Sequence, residues 1–285
     1  MYKKHAYLVL AHQDFTLLDK LISSIDDERN DIYIHIDKKN NVMPQVHTCY
    51  SNVRYVTNRI DARWGDYSLV EAELALFETS YKSGDYSYYH LVSGVDLPIK
   101  SQDYIHSFCE NNNGKEFIGF ANNVSVDELK WRTQHYFIFS RNFKSKNLFI
   151  RAIRATFVKL QDILSYKRSV EQIKKGAQWC TISCDFVDYI LQNKRKIYEL
   201  FHHTYCPDEM FIQTLCWNSD FRSRVFDMSD EFSGCRRFIK WDNGELKPLQ
   251  ARDMSEMHAS DAWFARKFSS LDKSLMEAYD REFIN

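Results

Sequence analysis

The stretch AYLVLAHQDFTLLDKLISSI (residues 6–25), followed at 31–37 by DIYIHID, decides the fold of this chain. Residues 6–12 are a short apolar run rich in β-formers, as a strand buried on both faces requires. Residues 15–25 repeat apolar side chains at helical spacing, and 31–37 alternate as a second strand ending on Asp37. Strand, helix and strand in one continuous stretch make the unit from which parallel sheets are built. The pattern goes on: VRYVTN (53–58) predicts a third strand, SLVEAELALFETSYKS (68–83) a helix, and YSYYHLVSG (86–94) a fourth strand. The expectation is an α/β fold, a mostly parallel sheet flanked by helices. Such sheets bind ligands beyond the carboxyl ends of their strands, which groups His12, Asp37 and the loop Ser93–Asp96 around one crevice.

Bulk composition narrows the function classes. The 285 residues are enough for a large core, and 44% apolar and 27% charged residues are ordinary for a globular protein. A formal net charge of −1 argues against a general nucleic-acid binder, so no nucleic-acid partner is expected. Aromatic residues make up 15% of the chain, which suits stacking on ring-shaped ligands and equally suits an aromatic core. The seven cysteines are odd in number and lack a C-x-x-C pair, so free thiols in a reducing compartment are expected. Cys180 and Cys184 would lie one turn apart if that segment is helical, but nothing nearby completes a zinc set. The opening MYKKHAYLVLAHQDF turns polar too soon for a signal peptide, and no 18-residue apolar run exists; a cytoplasmic protein is expected. Neither G-x-G-x-x-G nor a P-loop is present.

Two segments carry open readings. In CPDEMFIQTL (206–215) Pro207 suits the first position of a helix, and Asp208 and Glu209 suit its positive end by a few tenths to about 1 kcal/mol. The same pair also offers a carboxylate for proton abstraction. Residues 141–175 hold ten Lys or Arg against Asp162 and Glu171, with Phe149, Ile153, Phe157, Leu160 and Leu164 at helical spacing. That is either a core stripe under a solvated face or a basic amphipathic helix lying on an anionic membrane.

Taken in order, AYLVLAHQDFTLLDKLISSI…DIYIHIDKK, RWGDYSLVEAELALFETS, YYHLVSGVDLPIKS, GAQWCTISCDFVDYIL, CPDEMFIQTLCWNS and FARKF span about residues 5–268. This succession resembles the core-2/I-branching β-1,6-N-acetylglucosaminyltransferase family, to which xylosyltransferases also belong. The resemblance implies a GT-A-type fold in a single domain, with a nucleotide-binding half (1–120) and an acceptor-binding and catalytic half (121–285). It implies a UDP-sugar donor, a glycan acceptor, inversion at the anomeric carbon, and no cofactor or metal. On that last point the chain agrees by itself: no two aspartates stand two positions apart, so the Asp-x-Asp of metal-dependent GT-A enzymes is missing. A fixed cation would then have to neutralise the leaving diphosphate.

The same resemblance implies roles for residues. Lys267, with Arg266 beside it in FARKF, would hold the diphosphate; for the second cation of the animal members there is no clear match, with Lys247 and Arg252 the nearest choices. Leu10, His12 and Asp37 would meet the nucleoside, and Trp64 would be a third donor contact. Glu209 would be the general base, leaving Asp208 as the cap. Trp241, Trp179 and Lys130 would face the acceptor, Trp179 because Gly176 allows close backbone approach there. The function implied is transfer of GlcNAc or a similar sugar in surface-polysaccharide synthesis, onto an acceptor that a lipid carrier at the inner membrane leaflet would suit. Two alternatives stand beside it: a metal-dependent GT-A transferase, and a non-catalytic UDP-sugar-binding relative.

Overall fold

The computed structural model describes residues 3–168, 172–242 and 245–284. Its centre is a five-stranded sheet. Strand β1 (Lys4–Ala11) is buried at every position but the first, as its apolar run demands. It pairs in parallel with β2 (Asn30–Ile36) on one side and with β4 (Tyr86–Ser93) on the other. Beyond β2 lies β3 (Asn52–Tyr55), also parallel; beyond β4 lies β6 (Thr181–Ser183), antiparallel. The third strand is shorter than the expected 53–58 because, as an edge strand, it has only β2 to pair with, and the ladder closes at the Val56 N–H. A second sheet sets β10 (Phe264–Arg266) between β5 (Leu97–Pro98) and β7 (Arg237–Ile239). A hairpin, β8 (Trp241–Asp242) with β9 (Glu245–Leu246), completes the strands.

Helices cover both faces of the central sheet. On one face α2 (Ser68–Tyr81), α6 (Cys184–Gln192), α7 (Lys194–Phe201) and α8 (Phe211–Trp217) bury Val70, Phe77, Phe186, Ile197 and Phe211 against Leu8, Tyr33 and Leu91. On the other, α1 (Phe15–Ser24), α3 (Gln102–Asn111), α10 (Met254–Ala259) and α11 (Lys273–Phe283) close over Tyr7, Val9, Ile34 and Trp263. Both cores take residues from either half of the chain, which makes this a mixed α/β fold of the expected kind. The helices α4 (Val126–Gln134), α5 (Leu148–Ile163) and α9 (Glu231–Cys235) lie outside this arrangement. Cys180 and Cys184 are not one helical turn apart, since β6 runs between them, and all seven cysteines are free. Among the described residues no helix is long and apolar enough to cross a membrane.

Strand order β3-β2-β1-β4 reverses direction between β1 and β4, so the chain leaves these two strands toward opposite sides and opens a crevice at their carboxyl ends. Gly94, just past β4, closes on it: its N–H donates to the Leu10 carbonyl at 2.8 Å, and a Cβ there would stand 2.9 Å from the Ala11 methyl. The segment 121–175 departs and returns at nearly one point. The Ala121 N–H donates to the Lys175 carbonyl, Phe117 bridges Thr181, and a Cβ on Gly176 would lie 1.9 Å from the Gly119 oxygen.

Candidate active site

The crevice is built first from backbone. Asp37, one residue beyond β2, donates its N–H to the Ala11 carbonyl, and the Asn40 amide donates to the carbonyl of His12. Asp37 is almost fully buried; its carboxylate accepts from the Lys39 N–H at 2.8 Å and pairs with the Lys39 ammonium at 3.1 Å. The carboxylate therefore enters the crevice already oriented, and it closes a turn instead of capping a helix. His12 stands exposed beside it, its pKa lowered by partial burial, with Asp37 opposing and Lys267 adding to the shift. Leu10 differs from its expected role: its side chain belongs to the core and its carbonyl is taken by Gly94, so it backs the site without offering a free polar atom.

Strand β10 delivers the cations. Its neighbours fix it on both sides, since the Leu249 N–H donates to the Lys267 carbonyl and the Phe268 N–H to the Val95 carbonyl. Arg266 and Lys267 then separate in role. The Arg266 guanidinium turns inward, 4.2 Å above the Trp179 ring and 3.3 Å from the buried Asp96 carboxylate. Burial raises the Asp96 pKa and Arg266 opposes that shift. Lys267 remains exposed to the crevice, its pKa lowered by partial burial and then by Arg266. A lysine with a displaced pKa in a cleft is a common mark of a functional cation. Trp179 is correspondingly buried beneath Arg266 and does not line the cleft as expected. Its approach does rest on Gly176, whose contact with Gly119 leaves no room for a side chain.

The acidic turn takes a different form from the expected helix start. Met210, at φ −135° and ψ −33°, breaks the chain, so Pro207–Glu209 form a single 3-10 turn and α8 begins at Phe211. Asp208 is not a cap. It is buried, its Oδ1 has no hydrogen-bond partner, and burial followed by the charge of Glu209 pushes its pKa up to about 7. Glu209 faces out. Its Oε2 meets the Arg132 guanidinium at 2.8 Å and the Lys175 ammonium at 3.6 Å; among the described residues its Oε1 has no partner. The Glu209 carbonyl accepts from the Gly176 N–H, and the Cys206 N–H donates to Gly65, which clamps the turn at both ends. Gly176 and Trp179 thus join the Glu209 turn to the Arg266–Lys267 strand across three residues, a span of at most ~11 Å.

Trp64 sits between the two groups. It is 48% exposed, so it is not a core tryptophan, and it meets Tyr205 edge-on at 5.7 Å, with Tyr205 in turn beneath Arg132. Lys144 lies 4.7 Å over the Trp64 ring and acts electrostatically on both His12 and Lys267. The structure directs the two lysine-or-arginine choices for a second cation elsewhere. Lys247 pairs with Glu245, two residues before it on the same arm of the hairpin, and Arg252 lines a surface hollow with His258 and Glu282. Trp241 is half exposed on the hairpin, and Lys130 is exposed on α4; neither touches the groups just described.

Three of the site's cations, Arg132, Lys144 and Lys175, escape sequence reading. Arg132 is two residues from Lys130 but on another side of α4, where it reaches Glu209 and, one turn back, Glu128. Only the helix phase separates the two, and the sequence does not set it. Among the described residues no group of three or more His, Cys, Asp or Glu side chains is placed to hold a metal ion.

Comparison with known proteins agrees with the order of the sequence blocks. The family model described as Core-2/I-Branching enzyme matches residues 5–263. The human β-1,3-galactosyl-O-glycosyl-glycoprotein β-1,6-N-acetylglucosaminyltransferase is 26% identical over 83% of this chain and 54% of its own. Rat xylosyltransferase 2 is 22% identical over 96% of this chain and 33% of its own. The chain therefore spans about half the length of the first relative and a third of the second. A solved structure, mouse xyloside xylosyltransferase 1 in its apo form, overlaps 91% of this chain at 9% identity and a TM-score of 0.35, too distant a likeness to carry weight.

Proposed function

Since the chain belongs to the Core-2/I-branching enzyme family, we propose that it is a glycosyltransferase moving a sugar from a UDP-sugar to a hydroxyl of a glycan acceptor, by inversion and without a metal. The observation that carries the reading is Glu209: one carboxylate oxygen held by Arg132 and Lys175, the other open at the rim of a crevice that also presents Lys267.

In this reading the nucleoside lies over the carboxyl ends of β1 and β2, with His12 and Asp37 beside it and Trp64 at the rim. The acceptor oxygen attacks the anomeric carbon in line with the departing diphosphate. One carbon–oxygen bond forms as the other breaks, and the hydroxyl proton passes to Glu209 Oε1. The bond electrons leave with the diphosphate, whose charge Lys267 and Lys144 meet as fixed cations. Arg132 and Lys175 hold the carboxylate in place, which is the pre-organisation that proton transfer in a single displacement requires. The relatives reported above are by name an N-acetylglucosaminyltransferase and a xylosyltransferase, and either sugar fits the proposal.

Calorimetry of UDP, UDP-GlcNAc and UDP-xylose with EDTA, and again with excess manganese, tests it. Equal affinity under both conditions is expected, together with transfer that EDTA leaves intact. Binding that requires manganese overturns the metal-free mechanism. UDP binding without turnover on any glycan overturns the assignment as an enzyme.

A further inference from the structure

Helix α5 is turned the wrong way round for a helix of a globular protein. Of its sixteen residues only Gln161 is buried. Leu148, Phe149, Leu160 and Ile163 are 75, 73, 47 and 69% exposed, and Leu164, just past the end, is 67% exposed. At helical spacing Phe149, Leu160, Ile163 and Leu164 share one face, with the small Ala152 and Thr156 between them. The opposite face meets the rest of the protein through half-buried Ile150, Phe157 and Val158 and through polar groups. Gln161 accepts from the Tyr136 N–H and donates to its carbonyl, while Arg154 donates to the carbonyls of Asn142 and Phe143. The helix is thus held by these hydrogen bonds and by its half-buried inner side chains, and it presents a second apolar stripe to the outside.

Charge indicates what covers that stripe. Residues 141–175 carry ten of the chain's 38 Lys and Arg but two of its 39 Asp and Glu, which leaves the rest of the molecule 28 against 37. Several of the ten are engaged within the protein, Arg141 with Asp61 and Lys175 with Glu209 among them. Lys146, Arg151, Lys159 and Lys167 are exposed and, among the described residues, have no acidic partner. A second copy of this chain would have to press like charge on like charge, because a two-fold interface meets itself. An anionic lipid surface satisfies both features at once.

We propose that α5 is an interfacial helix that docks the protein on an anionic bilayer. The apolar stripe enters the boundary between headgroups and acyl chains, and the four unpaired bases meet lipid phosphates. The negative remainder of the molecule is repelled, which selects one orientation. In that orientation the loop before α5, which places Lys144 over Trp64, holds the rim of the crevice near the surface. The inference rests on this face alone and is independent of the transfer reaction.

Co-sedimentation with vesicles of phosphatidylcholine, alone and with one-third phosphatidylglycerol, tests it. The protein is expected to bind the anionic vesicles and not the neutral ones, and to release at high ionic strength. Replacing Phe149, Leu160 and Ile163 together by Glu should abolish binding while thermal unfolding stays put, because these side chains project into solvent. Should that variant fail to fold, Lys146→Gln, Arg151→Gln, Lys159→Gln and Lys167→Gln, introduced in turn, give the same reading, with a loss of roughly fivefold for each base removed. Wild-type protein indifferent to anionic vesicles overturns the proposal, as do variants that bind like wild type. So does light scattering that shows a wild-type dimer split by the triple replacement while vesicle binding persists, since the face would then be a subunit contact.

Discussion

Lys267→Met separates the proposed diphosphate site from the nucleoside site. A unit charge about 4 Å from a phosphate oxygen is worth ~4 kcal/mol at the effective dielectric of ~20 found near protein surfaces. Lys267 is open to the crevice, so solvent screening cuts this to about 1.5–2 kcal/mol, or roughly 10- to 30-fold in Kd. Arg266 cannot take over, since its guanidinium is committed to Asp96 and Trp179. Lys144 remains and keeps the loss from being complete. Calorimetry of UDP, UMP and uridine against wild type and variant should show UDP weakened within that range and uridine changed less than about twofold. Because partial burial lowers the Lys267 pKa, wild-type affinity for UDP should begin to fall at a pH below the ordinary lysine range, and the variant should lack that fall. An equal loss for UDP and uridine, or no loss for either, would refute the assignment of Lys267 to the diphosphate.

Other consequences can be checked singly. Glu209→Gln should lower kcat by about 10²–10⁴-fold while UDP binds within a few-fold of wild type; retained transfer removes Glu209 as the base. Asp208 has a folded pKa of about 7 against an ordinary value of 3.8, so the folded state holds that proton more tightly than the unfolded chain. Its stabilising effect is full below about pH 4 and is lost as pH rises through 7, a change of roughly 2–3 kcal/mol between pH 5 and 8. Denaturant titrations should show that slope flattened in Asp208→Asn, and an unchanged slope would mean Asp208 is ionised in the fold. Gly176→Ala forces a methyl group to within 1.9 Å of the Gly119 oxygen and should cost about 3 kcal/mol or more, seen as a thermal midpoint lowered by about 6 °C or more. A midpoint within a degree or so of wild type would mean that contact relaxes freely.

Local patterns foretold the parallel sheet because burial on both faces leaves a direct trace: β1 is apolar from Ala6 to its end at Ala11, and its position determines where His12 and Asp37 emerge. That Lys267 stands exposed at the crevice was legible through the company of its block. The acidic turn was legible only in part. Pro207 and two carboxylates favour a helix start by local propensity, yet the Met210 break and the clamps from Gly65 and Gly176 prevail, and the clamps come from segments 30 or more residues away. Burial then removes the cap role expected of Asp208 by sending it inward. Arg132, Lys144 and Lys175 were illegible for a related reason: each depends on the path of segment 121–175, which no periodicity records. Trp179 and Leu10 show the opposite limit, where a block marks the right neighbourhood but not whether a side chain faces the ligand or the core.

Segment 121–175 leaves and re-enters the sheet through backbone contacts that almost touch, at Ala121 with Lys175 and at Gly119 with Gly176. Architecturally that makes it a cassette. Closing a long loop costs little more than closing a short one, about 0.6 kcal/mol per doubling, so its length and content can change while the strands beneath stay where they are. What it carries, Arg132 and Lys175 on the Glu209 side, Lys144 over Trp64, and the α5 face, can be exchanged together as one unit. Transplanting a related cassette between Ala121 and Lys175 is thus a direct route to chimaeras that keep the crevice at the ends of β1 and β2 and change its rim.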